Sequence, residues 1–60
     1  MTISDFMNTL LESRNHEFII YTDSDVPDFE GFGSEIPEAY KKAVIDYFDI
    51  GYQAIEIRIK

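Results

Sequence analysis

Ile36 to Asp49 reads IPEAYKKAVIDYFD, and what this stretch forms decides how the rest of the chain is arranged. Ile36, Tyr40, Ala43, Val44, Tyr47 and Phe48 fall at helical spacing. Pro37 suits the first turn of a helix, and Glu38 suits its positive end. Gly51 lies just past Ile50, where a helix commonly stops. The spacing predicts a second helix over 36–49. Such a helix is a crossover, carrying the chain from one strand to a parallel neighbour with right-handed sense.

The strands on either side are short and distinct. His16 to Thr22, HEFIIYT, is β-branched and aromatic. Phe18-Ile19-Ile20-Tyr21 is apolar on both faces, the pattern of a central strand covered on both sides by its own chain or by a partner subunit. Tyr52 to Lys60, YQAIEIRIK, alternates: Ile55, Ile57 and Ile59 share one face, and Glu56, Arg58 and Lys60 the other.

Upstream, Ile3, Phe6, Met7, Leu10 and Leu11 form the apolar stripe of a first helix over about 3–13. Thr2 and Asp5 have the spacing of a capping box. Arg14 suits the negative end of that helix, and Asn15 its exit turn. Between the first strand and the second helix runs an acidic segment, residues 22–35, TDSDVPDFEGFGSE. Asp23-Ser24-Asp25 has turn chemistry, and Val26-Pro27 disfavours helix. Phe29 to Phe32 suits a short edge strand hairpinned onto the first, with Gly31 weakening it.

These elements predict one small α+β domain over 1–60. It is a two-layer α-β-(β)-α-β arrangement, with two helices on one face of a two- or three-stranded sheet. The expected core is Phe6, Leu10, Phe18, Ile20, Tyr40, Val44, Phe48, Ile55 and Ile57. At 60 residues the domain buries little surface, and with no cysteine there is no disulfide to staple it. Homodimerisation through a free sheet edge is one way to relieve that.

The charge is lopsided. Residues 1–35 carry eight carboxylates against Arg14 alone, while residues 36–60 carry four against four bases, so the whole net charge of −7 sits in the first part. Such a surface repels phosphate backbones and disfavours direct nucleic-acid binding, but it attracts a basic protein. Solubility alone is the simpler explanation of net negative charge. The opening MTISDFMN has no basic start and no long apolar run, so neither a signal peptide nor a membrane span is expected, and a cytoplasmic protein is.

No motif carries recognisable chemistry. Asp23 and Asp25 match the start of a calcium-binding EF-hand loop, but Pro27, Asp28 and Ser34 then stand at ligand or glycine positions. Asp28 and Glu30 are a weak catalytic pair, because acid–base catalysis needs a pocket that separates two acidities and a 60-residue domain rarely has one. His16 has no second histidine or cysteine beside it. Gly31-Phe32-Gly33 lacks the further glycine and lysine of a phosphate loop. No enzyme, metal or cofactor is expected. The candidate partner-binding residues are Asp23, Asp25, Asp28, Phe29, Glu30 and Phe32, aromatics set among acids as interfaces favour. One phenylalanine is expected to tuck beneath the segment.

The helical opening Met1-Thr2-Ile3-Ser4-Asp5-Phe6, the strand Phe18–Tyr21 and the acidic segment together resemble small acidic accessory proteins of phages and prophages, some of which inhibit host defence. The resemblance spans about half the chain and assigns no functional residue. It implies a non-enzymatic regulatory or interaction module. Two alternatives stand beside a module that binds a basic protein: a nucleic-acid mimic that occupies the groove of a nucleic-acid-binding protein, and a structural self-associating domain.

Overall fold

The computed structural model describes residues 1–60 as a small α+β domain with a four-stranded mixed sheet and two short helices. Helix α1 spans Ile3–Asn8, strand β1 Glu17–Tyr21, strand β2 Phe29–Phe32, helix α2 Glu38–Lys41, strand β3 Ile45–Ile50 and strand β4 Ile55–Ile59. Short 3-10 turns lie at Ser13–Asn15 and Gly33–Glu35. The strand order is β2-β1-β4-β3. β1 and β4 pair in parallel, Phe18 opposite Ile55, and both outer pairings are antiparallel. No helix is long and apolar enough to cross a membrane.

The N-terminus forms as its residues require. The Asp5 amide donates to the Thr2 hydroxyl and the Thr2 amide to the Asp5 carboxylate, both at 3.1 Å, which closes the capping box. These hydrogen bonds stabilise the Asp5 carboxylate and hold its pKa below the ordinary 3.8. The helix then ends at Asn8, well before residue 13. The Thr9 hydroxyl donates to the Phe6 carbonyl at 2.7 Å, and the Thr9 and Leu10 amides bond three residues back rather than four. The side-chain bond competes with helix propagation, and the tightened turn stops it.

The second helix is the main correction. Only Glu38–Lys41 of the expected 36–49 is α-helical, and Ile45–Ile50 is a fourth strand. The Ala43 amide closes onto Tyr40 three residues back. Beyond it, Ile45, Tyr47, Phe48 and Ile50 are β-branched or aromatic, types that fit a pleated surface. They zip onto β4, with Tyr47 opposite Arg58, Phe48 opposite Ile57 and Ile50 opposite Ile55. A bulge at Asp46 resets the side-chain alternation between Ile45 and Tyr47. Gly51 ends a strand, and its amide donates to Ala54 across the β3–β4 turn. The last strand is accordingly shorter than 52–60.

The core is Ile3, Phe6, Phe18, Ile20, Ile36, Ile55 and Ile57. Phe6 meets Phe18 edge-on at 6.5 Å between ring centroids and tilts against Phe48 at 4.8 Å. Five of the nine expected core residues are buried, and Leu10 and Tyr40 pack partly against them. Val44 and Phe48 are each 45% exposed, because they belong to the edge of a sheet and not to a helix face. Ile3 and Ile36 take their places in the core.

Candidate functional site

The acidic segment is three structures. Residues 22–28 are a loop, Phe29–Phe32 is the foreseen edge strand β2, and Gly33–Glu35 is a 3-10 turn. Ser24 organises the loop: its hydroxyl accepts from the Val26 amide at 3.0 Å. The Asp28 amide donates to the Ile20 carbonyl at 2.8 Å and starts the hairpin. At its other end the Phe32 amide donates to the Glu35 carboxylate at 3.0 Å. Asp23, Asp25 and Asp28 are all exposed, and no three carboxylate or histidine side chains are placed to hold a metal ion.

The two phenylalanines separate. Phe29 stands opposite Ile20 and packs, half-buried, against the core. Phe32 stands opposite Glu17 and is 46% exposed. Three residues apart in a strand, they face opposite ways by pleat alone.

Register brings together residues that are distant in sequence. Glu30 lies opposite Ile19, Ile19 opposite Glu56, and Glu56 opposite Asp49. One row therefore crosses all four strands and carries three carboxylates. Strands sit roughly 4.8 Å apart, so the row is about 14 Å long. The neighbouring row is Tyr21, Arg58 and Tyr47. These positions alternate with the buried ones, so they share the sheet face opposite the core residues Phe18, Ile20, Ile55 and Ile57.

Arg58 joins this face to the loop. Its guanidinium donates to the Thr22 carbonyl at 2.7 Å and to the Ser24 carbonyl at 3.4 Å, and it lies 3.6 Å from the Asp25 carboxylate. It also sits over the Tyr21 ring, 5.2 Å from the centroid. The Tyr47 hydroxyl first, and then the neighbouring Asp25 carboxylate, raise its pKa above the ordinary value for arginine, against the opposing effect of burial. A cleft of about 250 Å³ opens here, lined by Tyr21, Asp25, Tyr47, Glu56, Ile57 and Arg58. With Arg58 committed to the loop, Glu30, Glu56 and Asp49 have no base opposite them in their row.

Of the sequence-derived candidates, the structure places Glu30 and Phe32 on this face and the loop aspartates beside it. It turns Phe29 toward the core. Tyr21, Tyr47, Asp49, Glu56 and Arg58 were not anticipated as members. The Glu56–Arg58 alternation was a visible signal, although it reads equally well as a solvated face. Tyr47 and Asp49 were hidden inside an apparent helix. No family model, curated protein or solved structure matches this chain.

Proposed function

We propose that this chain is a small, acidic, non-enzymatic interaction module of the phage or prophage accessory kind, acting in the cytoplasm on a basic protein partner. The observation that carries the proposal is the carboxylate row Glu30–Glu56–Asp49, with exposed Asp23, Asp25 and Asp28 in the loop beyond the Tyr21–Arg58–Tyr47 row and exposed Phe32 at its border. Acids that outnumber the bases beside them, here Arg58 alone and already bonded to the loop, favour lysine and arginine, and an exposed ring among them supplies an apolar anchor. In this reading both helices cover the core face, and the opposite face is left for the partner. Phe29, packed inward, is a support for the site and not a contact.

The test is capture. Asp23→Asn, Asp25→Asn, Asp28→Asn and Glu30→Gln combined should release a basic partner, and so should high salt. Equal capture by the parent and the fourfold variant would sink the reading.

Nucleic-acid mimicry is the second reading, and the same row favours it. The acids extend from the loop across a face, as imitation of a phosphate array requires. Duplex DNA should then compete with the protein for its partner; a partner that DNA leaves in place excludes mimicry. The self-associating alternative predicts a constitutive dimer in sedimentation with no partner captured.

A further inference from the structure

Strand β3 ends the sheet and carries the most exposed apolar surface in it. Tyr47 is 56% exposed and Ile50 63%, with Phe48 also open to water. The other end strand, β2, is four residues long and contains Gly31. Native sheets blunt their edges because unpaired backbone groups recruit other strands.

The chain itself uses the outer edge of β3 at one end. Thr2 bridges Val44 in antiparallel fashion, the Ile3 amide donates to the Ala43 carbonyl at 3.1 Å, and the Ile45 amide donates to the Met1 carbonyl at 2.8 Å. This pairing stops at Ile45. Asp46 to Ile50 continue the same edge with no strand beside them.

We propose that the free edge of β3 takes up an extended segment of the basic partner, alternating aliphatic residues with lysine or arginine, as a fifth strand. The inference rests on the basic-partner reading and adds the segment's conformation and position. Register sets the alternation. Phe48 and Ile50 stand opposite Ile57 and Ile55, so an incoming aliphatic residue extends the core side. Tyr47 and Asp49 stand opposite Arg58 and Glu56, so an incoming base extends the carboxylate row past Asp49. The open edge is about 17 Å long, which limits the added strand to five residues. Charge selects the occupant. A second copy brings its own Asp46 and Asp49 and a net charge of −7 to the same edge, and like charges across a strand pair repel.

The test uses a short end-blocked peptide of alternating valine and lysine, with the full chain followed by amide NMR. Shifts should centre on Asp46–Ile50. The same peptide N-methylated at alternate backbone amides should bind at least about tenfold more weakly, since it loses ladder hydrogen bonds and keeps its charge. Ile50→Lys, at an exposed position, should weaken binding in the same direction. Binding that survives in the fourfold loop variant supports the edge even if the loop reading falls. Shifts confined to residues 22–30 overturn the edge and leave the loop reading standing. Equal affinity of the N-methylated peptide, no binding of the parent peptide, or a dimer that Ile50→Lys dissociates also overturns it.

Discussion

Arg58 in the last strand donates to the carbonyl of Thr22 at 2.7 Å, thirty-six residues earlier, and so fastens the first turn of the acidic loop to the sheet. A bidentate-capable guanidinium reaches two carbonyls and a carboxylate at once, which an ammonium cannot reproduce. The loop backbone is therefore held even though its aspartates are exposed.

Arg58→Gln should free residues 22–25 while the β1–β4 ladder stays closed. Hydrogen exchange should rise several-fold at Val26 and Asp28, whose amides are bonded to the Ser24 hydroxyl and the Ile20 carbonyl, and remain unchanged at Ile19 and Ile57. Arg58→Lys should lie nearer the glutamine variant than the parent. Uniform acceleration across the sheet would mean that Arg58 supports global stability and not the loop.

Gly33 is buried, and a side chain there has nowhere to go. A Cβ would collide with the backbone carbonyl of Ser13, in the 3-10 turn that packs against Gly33–Glu35. The Gly33 amide is also tied to the His16 carbonyl at 2.9 Å, so the segment cannot easily move away. Gly33→Ala should cost about 1–3 kcal/mol, the usual penalty of overpacking. Chemical denaturation measures it, and a cost near zero would show that the two turns separate freely.

Local signals in the chain were reliable where one element decided its own conformation. The Thr2–Asp5 box, the apolar run at Phe18–Tyr21 and the isoleucine alternation of Ile55 and Ile57 each gave the right element. Parallel pairing of β1 and β4 and the β2 hairpin followed from them. Residues 45–50 did not follow, because Tyr40, Ala43, Val44, Tyr47 and Phe48 satisfy a helical period while Ile45, Phe48 and Ile50 serve a bulged strand. Only the tertiary partner, β4, decides between them. The carboxylate row was hidden for the same reason, since its third carboxylate, Asp49, lay in the stretch that reads as helix. The loop aspartates were legible from composition alone.

Glu12 sits in the left-handed backbone region, φ 55° and ψ 38°, at the start of the Ser13–Asn15 turn. That conformation disfavours a residue with a Cβ by about 1 kcal/mol, and glycine removes the penalty at some entropic cost in the unfolded chain. Glu12→Gly should therefore raise the melting temperature slightly or leave it unchanged, whereas Glu12→Val should lower it. A glycine variant that melts clearly lower would show that Glu12 contributes through its side chain.

Asp5 gives stability a defined dependence on acid. Its hydrogen bonds with Thr2 lower its pKa in the folded state below the ordinary 3.8. A group lowered on folding adds stability that is fully present above the unfolded value and disappears as pH falls through the folded one. The contribution should be intact at neutral pH and fade below about pH 4. Thr2→Ala removes the hydroxyl that caps the Asp5 amide and should cost about 1 kcal/mol at neutral pH. The difference in melting temperature between the parent and Asp5→Asn should narrow as the solution is acidified through this range, because the parent loses its carboxylate while asparagine does not titrate. A difference that stays constant from neutral pH down to pH 3 would remove the capping box as the source of the shift, and place the acid sensitivity of the domain in its exposed carboxylates instead.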